Sequence, residues 1–162
     1  MTNRYDGHLR GDGLRVAVVA GRFNGLVTDA LVDGALDALR RHGVDDASVT
    51  LARVPGAFEL ALVAARLAAS GSVDAVVCLG AVIRGATGHY EQVAGQCAAG
   101  IQRAQLDTGV PVIFGVLTTD TLEQALDRAG GKAGNKGADA AVAAIEMADL
   151  LRQLPKPGST GE

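Results

Sequence analysis

Apolar positions along the chain alternate between two spacings. Residues 14–20 (LRVAVVA) form a short β-branched run that stops at Gly21-Arg22-Phe23-Asn24. Beyond it the period lengthens, and Val27, Leu31, Ala35, Ala38 and Leu39 fall near one helical face. Asn24 is a candidate N-cap for this helix, Arg40, Arg41 and His42 suit its last turn, and Gly43 suits its stop. Residues 48–54 read as a second strand, broken by Pro55-Gly56, and a second helix spans residues 58–69 and ends at Gly71. The apolar positions of that helix run nearly all the way round, which predicts heavy burial. Residues 75–83 (AVVCLGAVI) are almost continuously apolar, as in a central parallel strand covered on both faces. A loop over residues 84–88 leads into a third helix over residues 89–107. Residues 111–117 (PVIFGVL) give a fourth strand, followed by Thr118-Thr119-Asp120 and a short helix over residues 122–128. A glycine-rich loop, residues 130–137 (GGKAGNKG), precedes a last helix over residues 138–154 that Pro155 ends. Residues 1–12 read as an N-terminal arm and residues 156–162 as a disordered tail.

Strand and helix in alternation with short connections predict an α/β fold, an open parallel sheet of four strands with helices on both faces. With 162 residues, no internal repeat and no dividing linker, the chain reads as a single three-layer αβα domain. Ligands of such sheets bind at the carboxyl ends of the strands, near a topological switch point. That rule selects four loops: residues 21–24, 55–59, 84–89 and 117–120.

Composition narrows the classes. The chain is 48% hydrophobic but only 3% aromatic, with no Trp, so the core is built from Ala, Val and Leu. Its 22 glycines show no Gly-X-Y period and so point to tight turns and close backbone approaches. A net charge of −3 at pH 7 is not the footprint of a nucleic-acid binder. No apolar run approaches the ~20 residues of a membrane span. Residues 1–13 are polar and broken by glycines, without a secretory apolar region. Cys78 and Cys97 have no CxxC spacing, which argues against a disulfide framework and a thiolate zinc site. A cytoplasmic protein is expected, with no nucleic-acid or membrane partner.

The loop Arg84-Gly85-Ala86-Thr87-Gly88-His89 carries a cation, a hydroxyl, two glycines and a helix start. Free N–H groups and the positive end of the helix would seat an oxyanion or phosphate there. A plain strand-to-helix turn needing glycine for positive φ is the competing reading. His89 is either a surface residue of a first turn or an imidazole placed to accept a proton. Glu59 suits a helix start in any case. Phe23, at a strand end, offers a stacking plate for a planar heterocycle or else plugs the core from a loop. Gly11-Asp12-Gly13 precedes the first strand and is no dinucleotide fingerprint, and Gly130-Gly131-Lys132-Ala133 lacks the features of a P-loop. No His, Cys, Asp or Glu cluster has metal-ligand spacing.

Five segments, taken together, carry a family resemblance. Gly21-Arg22-Phe23-Asn24, Val54-Pro55-Gly56-Ala57-Phe58-Glu59, Leu79 through Thr87 with His89, Gly115-Val116-Leu117-Thr118-Thr119 and residues 127–137 (DRAGGKAGNKG) resemble the 6,7-dimethyl-8-ribityllumazine synthase family. The likeness covers residues 8–154. It implies a four-stranded, flavodoxin-like parallel sheet and the penultimate step of riboflavin biosynthesis. There, 5-amino-6-(D-ribitylamino)uracil condenses with 3,4-dihydroxy-2-butanone 4-phosphate and loses phosphate and water, without metal or organic cofactor. On the resemblance, Phe23 stacks on the pyrimidine, Ala57, Phe58 and Glu59 line its site, and Glu59 grips the ribityl hydroxyls. The backbone of Ala81, Val82 and Ile83 completes the pocket. Gly85, Ala86 and Thr87 hold the phosphate, and His89 is the catalytic proton shuttle. Phe114, Arg128 and Lys136 match residues contributed by a neighbouring subunit, Phe114 to the substrate pocket and Arg128 and Lys136 to the phosphate, which Arg128 faces. The resemblance also implies a homo-pentamer, and residues 130–137 resemble those of members that close a sixty-subunit icosahedral shell, with riboflavin synthase as a candidate enclosed partner.

Two local departures stand out. Gly88 replaces the Pro, Thr or Tyr common before the histidine, and Tyr90-Glu91-Gln92 replaces Phe-Asp-Tyr. A looser loop with activity retained is expected. Two other functions compete. A non-catalytic flavin- or lumazine-binding shell protein would need the ring at Phe23 but neither His89 nor Arg128. A riboflavin synthase of the related archaeal type would use two lumazines and no phosphate ester, and the 84–89 loop with Arg128 argues against it.

Overall fold

The computed structural model of the protein describes residues 1–159. In chain order its elements are β1 (Val16–Gly21), α1 (Gly25–Arg41), β2 (Val49–Val54), α2 (Leu60–Ala69), β3 (Ala75–Ile83), α3 (His89–Thr108), β4 (Val112–Thr119), α4 (Leu122–Asp127), β5 (Ala129–Gly131), β6 (Gly134–Asn135) and α5 (Lys136–Gln153). Four strands form a parallel sheet in the order β2-β1-β3-β4, and β5-β6 is a small antiparallel ribbon. This is the α/β, flavodoxin-like arrangement, with α1 and α5 on one face of the sheet and α2 and α3 on the other.

The central strands explain their own composition. Every residue of β1 is buried, and every residue of β3 but Ile83. Both faces are covered, so no polar alternation is needed, and side chains divide in turn between two apolar layers. Val16, Val18, Val77 and Leu79 pack toward α1 and α5, while Ala17, Val19, Val76 and Cys78 pack toward α2 and α3. Small residues bring the layers close. A Cβ on Gly115 of β4 would stand 3.0 Å from Ala140 Cβ of α5, and one on Gly137 only 2.1 Å from the Leu31 carbonyl oxygen. Helix α5 therefore rests directly on the backbone of α1. Asn135 seals that contact: its Oδ1 accepts from the Ala138 N–H at 3.1 Å, and its Nδ2 donates to the Ala30 carbonyl at 3.0 Å.

Several sequence expectations need correction. Asn24 precedes α1 but makes no side-chain cap; it lies in the left-handed region at φ 61, and its carbonyl accepts from Val27 and Thr28. Its amide is drawn away to the Ala81 carbonyl, 3.1 Å distant. Helix α2 is not heavily buried. Leu60, Ala64 and Ala68 are, but Leu62 is 72% exposed, because only one face of the helix meets the sheet and α3. The 130–137 segment is less a loop than the β5-β6 ribbon and the start of α5. Strand β4 runs two residues further than expected, to Thr119.

The arm is docked: His8 N–H donates to Asp149 Oδ2 at 2.7 Å, and Gln153 Nε2 donates to the Asp6 carbonyl at 2.7 Å. In the expected disordered tail, the Ser159 N–H turns back to the Lys156 carbonyl, and residues 160–162 lie outside the described residues. Among the described residues no helix is long and apolar enough to cross a membrane.

Candidate active site

The sheet is parallel, so all four strands end on one edge. From β1 the chain steps out to β2 and then returns past β1 to β3, which leaves a cleft between the ends of β1 and β3. Register deepens it. β3 pairs with β1 only as far as Leu79 opposite Ala20, so residues 80–83 have no strand partner on that side. Asn24 takes the Ala81 carbonyl, and the rest of that backbone edge borders the cleft.

The loops after β1 and β2 hold each other. Arg22 N–H donates to the Val54 carbonyl at 2.8 Å and Phe23 N–H to the Pro55 carbonyl at 3.0 Å. Their backbones nearly touch, since a Cβ on Gly21 would lie 3.3 Å from the Gly56 carbonyl carbon. Phe23 is thereby placed beside the short turn Ala57–Glu59. Phe23 is 72% exposed and Phe58 60%, so neither plugs the core. A cavity of about 550 Å³ is lined by Phe23, Ala57, Phe58, Glu59 and His89. Adjoining it, a cavity of about 240 Å³ is lined by Phe23, Ala57, Ala81, Val82, Ile83, Gly85, Thr87 and His89. Phe23, Ala57 and His89 thus face both spaces. Ala86 lines neither.

His89 is the first residue of the long helix α3, and its N–H donates to Thr87 Oγ1 at 3.4 Å. Neither Gly85 nor Gly88 takes a positive φ. The turn alone does not require these glycines, which removes the conformational reason for them. What they leave is bare backbone beside the start of a helix, where N–H groups favour an anion.

Arg84 is not the free cation that its position in this loop suggests. Its Nε donates to Asp120 Oδ1 at 2.9 Å, its Nη1 pairs with Glu91, and the guanidinium lies 4.3 Å from the centroid of the Tyr90 ring. Hydrogen bonds to Asp120 and Glu91 hold its pKa above the ordinary arginine value. The Glu91 carboxyl is held below its own, by its backbone N–H and then by Arg84. Asp120 lies in the 117–120 loop that the strand ends select, but its pairing with Arg84 is not legible there, because it joins the ends of β3 and β4 to the start of α3.

Phe114, Arg128 and Lys136 lie elsewhere. They line a cavity of about 570 Å³ at the β4 edge of the sheet, together with Asp120 and Asp139. Arg128 Nη1 donates to the Gln124 carbonyl at 2.9 Å. Within one chain the candidate residues therefore form two groups, one at the cleft between β1 and β3 and one beyond β4. Among the described residues no group of three or more His, Cys, Asp or Glu is placed to hold a metal ion. Cys78 and Cys97 are free and buried, and burial pushes both thiols up, Cys97 to about 11. Neither serves as a nucleophile of the cleft.

A family model described as 6,7-dimethyl-8-ribityllumazine synthase matches residues 13–152 of the chain.

Proposed function

The chain belongs to the 6,7-dimethyl-8-ribityllumazine synthase family, transferases of riboflavin biosynthesis, and from that premise we propose how its residues divide the work. The substrates are 5-amino-6-(D-ribitylamino)uracil and 3,4-dihydroxy-2-butanone 4-phosphate. The pyrimidine stacks on Phe23, with its polar edges toward the backbone of Ala81, Val82 and Ile83 and its ribityl chain toward Glu59 beside Ala57 and Phe58. The phosphate sits on the amides of Gly85, Ala86 and Thr87. The 5-amino nitrogen attacks the ketone carbonyl and water leaves as an imine forms. Loss of the phosphate leaves an enol that becomes a second carbonyl, the ribityl-bearing nitrogen closes the ring on it and a second water leaves, with His89 moving protons between the reacting atoms. Holding both reactants in one cleft supplies the effective concentration that the condensation needs.

The observation that carries this reading is that an exposed aromatic plate and an imidazole face the same two adjoining cavities: Phe23 and His89 line both. Phe114, Arg128 and Lys136 are supplied to this cleft by an adjacent subunit, with Arg128 on the phosphate. Their placement around a separate cavity beyond β4 supports such sharing. The subunits form a homo-pentamer and, through it, a sixty-subunit shell able to enclose riboflavin synthase. Mixing the two substrates with the protein and following the visible absorbance of the lumazine, together with phosphate release, tests the reaction. Lumazine and phosphate appearing in equal amounts is the expected result. No lumazine from an intact, assembled protein would overturn it.

A further inference from the structure

We propose that Arg84 is a positioning residue: tied to Asp120, Glu91 and the Tyr90 ring, its guanidinium fixes the 85–88 loop and the first turn of α3, and so aims His89 and the loop amides. The functional consequence rests on the reading given above; the structural part stands without it.

The loop has little else to hold it. A Cβ on Gly85 or on Gly88 would meet nothing within 4 Å, so no wall of the protein supports either residue. Its own hydrogen bonds are long: His89 N–H to Thr87 Oγ1 at 3.4 Å and Gln92 N–H to the Gly88 carbonyl at 3.5 Å. At Arg84 the contacts are short. Its N–H donates to the Thr119 carbonyl at 2.8 Å, and its Nε to Asp120 Oδ1 at 2.9 Å. Glu91 and Tyr90, on the far side of the loop, complete the grip. Charge-assisted bonds in two directions and a ring against the guanidinium leave it no free rotation.

Position along the chain makes this consequential. Tyr90 and Glu91 are the two residues after His89, so fastening them sets the rotation of the helical turn from which the imidazole projects. Asp120 directly follows β4, so the anchor is the sheet itself. Two carboxylates already face one guanidinium, which leaves it no surplus positive charge for a phosphate. Its part is orientation. With glycine at position 88, the stiffness of the turn comes from this side chain rather than from the loop's own residues.

The test uses the assembled protein with Arg84→Met, Arg84→Lys, Glu91→Gln and Asp120→Asn. Amide hydrogen exchange of residues 85–92 should quicken in Arg84→Met and in Glu91→Gln, while β1 and β3 keep their protection. In turnover, Arg84→Met should lower kcat about tenfold to a hundredfold, the scale of a misaimed catalytic group, and leave KM for the pyrimidine within about twofold. Arg84→Lys, which keeps the charge but lacks the planar fork, should resemble Arg84→Met. The Arg84→Met/Glu91→Gln double variant should be no worse than Arg84→Met alone. Unchanged exchange in both Arg84→Met and Glu91→Gln would overturn the proposal. So would wild-type kinetics for both carboxylate variants beside an Arg84→Met that raises only KM for the ketone phosphate, for then Arg84 grips phosphate directly. If the unmodified protein makes no lumazine, the proposed reaction fails, and the exchange measurement still decides whether Arg84 holds the loop.

Discussion

His89 opens α3 and faces both cavities beside Phe23, whereas His8 lies in the arm and His42 at the end of α1. Among the described residues it is the one imidazole that lines the cleft, so it has no understudy. His89→Ala should lower kcat by about 10²-fold or more, the usual loss for a positioned acid–base group. Steady-state kinetics check this, and near-normal turnover would leave His89 as a first-turn residue only. Arg128 makes a different prediction, because its partner is a charge and not a proton. Arg128→Ala should raise KM for the phosphorylated ketone and spare KM for the pyrimidine, since a charge-assisted contact to one substrate is lost. Equal changes in both would remove Arg128 from the phosphate.

Among the elements, the α1–α5 contact shows how a single atom can reverse a propensity. In a solvent-facing helix, Gly→Ala stabilises by about 1 kcal/mol. At Gly137, in the first turn of α5, the added methyl would fall 2.1 Å from the Leu31 carbonyl oxygen, a backbone atom that cannot swing aside. Prising two packed helices apart outweighs propensity, so Gly137→Ala should destabilise by about 2 kcal/mol or more. Urea unfolding reads this as a lower midpoint with an unchanged slope. Helix α2 makes the complementary point. Its apolar circumference was legible in the sequence, but which part the chain itself covers depends on where the sheet and α3 lie. The remainder, Leu62 among it, stays exposed within the chain.

For the molecule as a whole, acid stability and assembly are the properties to measure. Asp74, just ahead of β3, accepts the Arg15 N–H at 2.8 Å and pairs with the guanidinium groups of Arg15 and Arg152, which joins β1, β3 and α5 at the far end of the sheet. Burial by itself would raise its pKa, but the hydrogen bonds and charges of Arg15, with Arg152, outweigh that and hold it below the ordinary carboxylate value. A carboxyl depressed on folding adds stability above its unfolded pKa of about 4, and loses it as pH falls through the folded value. The melting temperature should therefore hold from neutral pH down to about 4 and then fall, with a shallower fall in Asp74→Asn, as calorimetry across that range would show. For assembly, light scattering should give a mass many times the 16.4 kDa of one chain. A pentamer without larger species would reject the sixty-subunit shell, and a monomer that makes lumazine would reject the shared site.

Much of this was open to reading along the chain. Parallel strands buried on both faces must be apolar throughout, so residues 75–83 announced the centre of the sheet. Alternating periods gave the order of the elements, and strand ends gave the loops in which Phe23, Glu59 and His89 stand. Local chemistry decides those features, and local chemistry is what a sequence displays. Side-chain partners are another matter. That Asn24 abandons its cap for Ala81, that Arg84 is shared between Asp120 and Glu91, and that Phe114, Arg128 and Lys136 gather beyond β4 all depend on distances that only the fold closes. Hydrogen bonds and ion pairs act over a few ångströms of space, whatever the separation in sequence, so only the tertiary structure could choose among them.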